Sequence, residues 1–186
     1  MTESIQLAGS GMIALTRDTL ATLHAALFRD LGGDAAAYLQ EAGYAGGGAL
    51  FAAFSAWAER HGYATPESIA AADFQAHASE FFRDLGWGAV ALGTLHDTVA
   101  TLDSADWGEA DPNAAMEFPG CHLSTGMFAD FFGRLAGTPM AVMEVECRSM
   151  GAPRCRFLLG NADALHHVYD EMSRGAGYED AVASVG

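Results

Sequence analysis

Lysine does not occur in this 186-residue chain, and nine arginines face 24 acidic residues for a formal charge of −15. A nucleic-acid-binding surface needs a clustered excess of positive charge, so this balance argues against that class. The acidity reads instead as a contribution to solubility. No apolar run is long enough to span a bilayer without interruption. The opening MTESIQLAGSGM lacks a basic region followed by an apolar core, so no secretory signal is expected. Cysteine is scarce as well. Three cysteines without an export signal fit a reducing cytoplasm and metal binding better than a disulfide framework. A phosphate loop, a dinucleotide fingerprint, a nucleophile elbow and a basic helix-turn-helix are all missing. Seven histidines are present, but none falls in a recognisable triad with serine and aspartate. Catalysis is therefore not the expected activity.

What is present concentrates in one stretch. Cys121 to Cys155 holds all three cysteines, Cys121, Cys147 and Cys155, around a helical segment, an apolar strand and a Gly-Pro loop. The loop reverses the chain, so Cys147 closes one strand and Cys155 opens the next. A helix beginning near Cys121 can bring the third sulfur. A carboxylate, Glu144 or Glu146, would complete the four ligands of a closed zinc site. The same cysteines also read as three small buried hydrophobes. Spacing alone leaves both readings open. Three arginines, Arg148, Arg154 and Arg156, flank the hairpin and would offset surplus negative charge at such a site.

Helical and strand periodicities alternate along the chain in an order that predicts an α+β fold. A lead-in over 1–16 reads as short strands at Ile5–Leu7 and Met12–Leu15. Thr16 or Asp18 caps a helix to Leu31, and Asp34 starts the next. That second helix meets four glycines within 43–48, which implies either close approach of another backbone or a break into two helices. Leu50–His61, a segment opened by Thr65-Pro66 and Asp73–Leu85 read as helix. Hairpin strands follow at Trp87–Leu95 and Val99–Leu102, then an acidic loop over Asp103–Gly120. A helix near 122–136, strands at 140–147 and 155–159, and a helix from about 161 to Arg174 complete the prediction, with Gly175 as terminator. The chain is expected to be one domain, mainly helical over 1–86 and sheet-containing over 87–186.

Cys121, Gly126, the Phe131-Phe132-Gly133 run and E-V-E-C-R-S-M-G-A-P-R-C-R at 144–156 carry a family likeness. They resemble the 4-vinyl reductase domain family, in particular the zinc-containing sensor domains of phenol- and xylene-responsive activators. The segments G-M-I-A-L-T-R and E-A-G-Y-A-G-G are similar to the N-terminal half of the same sensors. The resemblance implies an antiparallel sheet packed with helices, similar to haem nitric-oxide sensors and vesicle-tethering subunits. In those sensors zinc is held by a cysteine, a Glu-x-x-Cys pair and a further cysteine. By position the ligands here are Cys121, Glu144, Cys147 and Cys155. Glu144 and Cys147 are three apart, so a bulge must re-aim one of them, or Glu146 is the ligand. A closed shell of this kind implies a structural zinc.

The expected function is binding: a stand-alone sensor or carrier domain for a small apolar or aromatic molecule. The expected pocket of roughly 300–1,000 Å³ lies between the aromatic helices and the sheet. Its candidate linings are Phe54, Trp57, Phe81, Phe82, Trp87 and Phe128. The phenol-responsive relatives hold the ligand hydroxyl with a His and a Trp. Here the His position holds Phe82 and the Trp region holds Leu102, which disfavours phenol and favours a more apolar molecule or a tetrapyrrole side group. An accessory or reductase role in bacteriochlorophyll synthesis and a protein-interaction subunit are the alternatives. The resemblance also implies a homodimer. Since the ATPase and DNA-binding motifs of the activators are not found in these residues, a separate output protein is expected.

Overall fold

The computed structural model describes residues 11–186. Helix α1 spans Arg17–Leu31 and α2 spans Ala35–Arg60, with a 3-10 turn at Gly32–Asp34 between them. Helix α3 covers Ala71–Asp84. Strands β1 (Ala91–His96) and β2 (Val99–Ser104) form the first hairpin, and β3 (Ala141–Glu146) and β4 (Cys155–Gly160) form the second. Helix α4, His122–Ala136, lies between the hairpins in sequence, while α5 (Ala162–Ser173) and α6 (Tyr178–Ala183) end the chain. The sheet order is β1-β2-β4-β3 and every pairing is antiparallel. Side chains alternate across it. Leu102, Phe157 and Leu159 face the aromatic core under α2, α3 and α4. Val99 and Leu158 face Leu165, Val168 and Val182 of α5 and α6. No helix among the described residues is long and apolar enough to cross a membrane.

Several expectations need correction. Ile5–Leu7 lies outside the described residues, and Met12–Leu15 forms no strand. Thr16 rather than Asp18 caps α1, accepting the Thr19 N–H at 3.1 Å. The Thr65-Pro66 segment makes a single 3-10 turn, and α3 starts only at Ala71. A sixth helix, α6, follows Gly175, where φ is +99°. The stretch 103–120 is not a solvated loop: Trp107 is fully buried in it, and Glu109 is buried too.

The glycines of α2 serve close approach, and the helix is continuous through them. Ala35, Leu39, Gly43, Gly47, Leu50, Phe54 and Trp57 are its buried stripe, spaced by three and four residues along one face. This face crosses α4 almost backbone to backbone. A methyl group on Gly43 would overlap the carbonyl oxygen of Leu123, and one on Gly126 would overlap that of Gln40. Gly47 rests on the Asp130 side chain. Gly46, on the same helix, has nothing within 4 Å of the equivalent position. Gly43→Ala and Gly126→Ala are therefore expected to destabilise the protein by at least about 2–3 kcal/mol, since rigid backbone cannot give way to the added methyl. Gly46→Ala should be neutral or stabilise by about 0.5–1 kcal/mol through helix propensity. Urea unfolding of the three variants checks this; equal effects at all three positions would refute the close crossing.

Candidate metal centre

Three segments converge at the first turn of α4. Cys121 immediately precedes the helix, Cys147 ends the β3 segment, and Cys155 opens β4. Between the last two, a 3-10 turn at Arg148–Met150 reverses the chain, with Met150 and Ala152 N–H both donating to the Cys147 carbonyl. Gly151 supplies the left-handed turn residue at φ +88°. The Cys121 sulfur lies 3.8 Å from the sulfurs of Cys147 and Cys155, and all three thiols are free and buried.

Glu144, not Glu146, joins them. The pairing of β3 with β4 runs from Glu144↔Phe157 to Glu146↔Arg156, so Val145 is an extra residue that bulges the strand. The bulge breaks the alternation that would otherwise set Glu144 and Cys147 on opposite faces. Glu146 instead meets Arg154 at 2.9 and 3.0 Å and accepts from the Tyr178 hydroxyl at 2.6 Å. One candidate ligand atom from each of Cys121, Glu144, Cys147 and Cys155 lies within 4.8 Å of all the others.

The donor set fits a cation. A tetrahedral centre with metal–sulfur bonds of ~2.3 Å has sulfur–sulfur edges of about 3.8 Å, the spacing found here. Glu144 Oε2 accepts the Cys121 N–H at 2.8 Å, while Oε1 is buried with no hydrogen-bond partner. Burial and the neighbouring Cys147 sulfur push the Glu144 carboxyl up to about 9. Burial likewise pushes the Cys121 thiol well up, whereas hydrogen bonds from Cys121 and Cys155 hold Cys147 far below the usual thiol range. The four groups thus cannot all carry their charge without a positive partner. The flanking arginines do not supply it. Arg154 is engaged with Glu146 and Asp103, and Arg156 with Asp103 at 2.6 and 2.7 Å and with Tyr178 at 3.0 Å.

A second buried polar group supports the same helix start. Glu109 accepts the N–H groups of Leu123 (2.9 Å) and Ser124 (2.8 Å) and the Ser124 hydroxyl. The Ser124 oxygen also accepts the Trp107 indole N–H at 2.7 Å. Burial raises the Glu109 carboxyl to about 7, although the Ser124 bonds oppose the rise. His24 of α1 stands 3.4 Å from Glu109, and burial, with His122 nearby, lowers its imidazole pKa. Sequence reasoning missed Trp107 and Glu109. The only signal was a lone Trp-Gly-Glu within an otherwise polar stretch.

Of the expected pocket residues, Phe54, Trp57, Phe81, Phe82 and Phe128 are core. Phe54 lies 5.0 Å from Phe81 ring to ring, and Phe82 lies 5.6 Å from Phe128 and 5.8 Å from Trp107. Trp57 stacks on Phe54 at 5.9 Å. Trp87 stacks on Trp107 and edges a small cavity of about 190 Å³ beside α1. A larger recess of about 950 Å³ opens between α1, α2, β3 and α5, and none of those six residues lines it. Phe28, Phe118, Val142, Met143, Leu165 and Tyr169 form much of its wall, and His122 and Glu144 reach it from the metal cluster.

Residues 111–161 match the 4-vinyl reductase domain family, and this span contains all four members of the cluster. The crystal structure of the phenol-responsive sensory domain of the transcription activator PoxR, with phenol, is similar in fold. Its TM-score is 0.65 at 18% identity over 87% of this chain and 82% of that one. A vinyl-4-reductase family protein from Methanocaldococcus jannaschii has a TM-score of 0.52 at 16% identity, covering 86% of this chain and 96% of that one. No curated protein sequence matches the chain. The cysteine–glutamate cluster therefore sits in a 4-vinyl reductase domain segment, within a fold that the chain shares along most of its length with these two structures.

Proposed function

We propose that this chain is a small-molecule-binding domain, a sensor or carrier for an apolar or aromatic ligand, braced by a structural zinc ion. The observation that carries the ligand reading is the recess of about 950 Å³ with its mostly apolar wall. Ligand sites are concave, largely apolar and of this size, with a few polar groups that fix orientation. Gln40, His122 and Thr125 are such groups here. The likeness to a phenol-responsive sensory domain supports the same reading.

Cys121, Glu144, Cys147 and Cys155 would hold the zinc. Three thiolates and a carboxylate suit this ion and leave no open position for an activated water, which supports a structural role. Zinc supplies the positive centre that lets the buried carboxylate and thiols ionise together. Its ligands would tie the start of α4 to both strands of the second hairpin.

Native mass spectrometry of protein purified without chelator tests both halves. One zinc per chain and a retained apolar molecule are expected. A porphyrin-like mass would favour a tetrapyrrole role, and neither metal nor affinity for any apolar compound would sink the proposal. Cys147→Ser or Cys155→Ser should release the metal and cost at least about 3 kcal/mol, roughly 6–12 °C in melting temperature for a chain of this size. Glu144→Gln should weaken metal retention less, since an amide oxygen can still coordinate. Glu146→Gln should leave metal content unchanged, because that carboxylate serves Arg154 and Tyr178.

Assembly follows from α1, which has no buried residue and exposes Leu23 and Leu31. We assign this apolar side to a second copy of the chain, with any output delivered through a separate protein. Light scattering should report about twice 19.5 kDa, and a monomer at high micromolar concentration would exclude the homodimer.

A further inference from the structure

The recess and the cysteine–glutamate cluster share a wall. Glu144 belongs to both. Pro119 and His122, which flank Cys121 in sequence, line the recess, as do Val142 and Met143 just before Glu144. The Cys121 N–H is itself bonded to Glu144 Oε2 at 2.8 Å. The segments that position two of the four cluster members are therefore the segments a bound molecule would pack against.

Charge and size restrict that molecule. The ionisable groups on the wall are Glu117, Glu144, His122 and the Tyr169 phenol, and no arginine lies among them. Burial lowers the His122 imidazole, so it offers no positive charge near neutral pH. In a chain of formal charge −15, an anionic ligand would meet only like charge there. A cavity of about 150 Å³ already accommodates benzene. A recess of about 950 Å³ is far larger than one ring requires.

We propose that the recess binds an uncharged, mostly apolar molecule larger than a single aromatic ring, carrying one hydroxyl or amine N–H, and that its occupancy and metal retention at the cluster strengthen each other. This rests on the readings of the recess as the ligand site and of the cluster as a zinc site. For the ion to leave, the segments carrying Cys121 and Glu144 must part. A molecule packed on Pro119, His122 and Val142 holds them together, so it opposes release. By thermodynamic reciprocity the bound ion then raises ligand affinity by the same factor, in the range of about 5–150-fold for coupled sites.

The test uses the zinc-loaded full chain and two probes. N-phenyl-1-naphthylamine is neutral, has one N–H and fluoresces in apolar surroundings. 8-Anilino-1-naphthalenesulfonate is the same scaffold with a sulfonate. The neutral probe should bind and the sulfonate should not. Zinc transfer to a chromophoric chelator should slow at least about five-fold in saturating neutral probe. Ala36→Trp, which fills the recess from α2, or Met172→Trp, which fills it from α5, should abolish this slowing. Failure of the neutral probe to bind overturns the recess as a ligand site and the linkage with it. Equal binding of the sulfonate overturns the restriction to uncharged molecules. Binding with an unchanged release rate overturns the linkage alone. Slowing that persists in both tryptophan variants places the effect elsewhere, and protein with no zinc to release removes the metal reading and the linkage together.

Discussion

Negative charge that has no place to go is the constraint around which this chain is arranged. Cys121, Glu144, Cys147 and Cys155 meet with their ligand atoms within 4.8 Å, buried beside the first turn of α4. Glu109 adds a further buried carboxyl to the same helix start. A helix N-terminus contributes roughly half a positive charge and a few N–H donors. That satisfies Glu109 but not three sulfurs and a second carboxylate, one oxygen of which has no partner. A divalent cation resolves the conflict. On this account it also sets the register of the chain around it: the bulge at Val145, the tight reversal through Gly151 and the position of α4 against the hairpin all follow from bringing four ligands to one point.

The helix so anchored is held from its other side by contact that tolerates no substituent. Gly43 and Gly126 let α2 and α4 cross with carbonyl oxygens where methyl groups would otherwise stand. Beyond the crossing, Phe54, Phe81, Phe82, Phe128 and Phe131 pack ring to ring, and Trp107 closes the cluster above β4. The aromatic helices therefore make the core, and the recess opens instead at the edge strand β3, next to the cluster.

Sequence periodicity was enough to place the helices from α1 to α5 and both hairpins, because each combines a clear apolar stripe with turn residues at its ends. The cluster was legible too: cysteines on either side of a Gly-Pro loop are neighbours whatever the rest of the chain does. The choice of Glu144 over Glu146 depended on a bulge, which only the pairing of β3 with β4 reveals. Trp107 and Glu109 were hidden because a buried irregular segment has no period, and its acidic neighbours resemble a solvated loop. The aromatic stripe was visible, but a stripe does not say whether its rings meet a ligand or one another. That depends on the volume left over after packing.

X-ray absorption at the zinc edge, on protein purified without chelator, tests the central claim most directly. The account predicts a shell of three sulfurs near ~2.3 Å and one oxygen near ~2.0–2.2 Å. A shell of nitrogen and oxygen alone, or protein that contains no zinc, would contradict it.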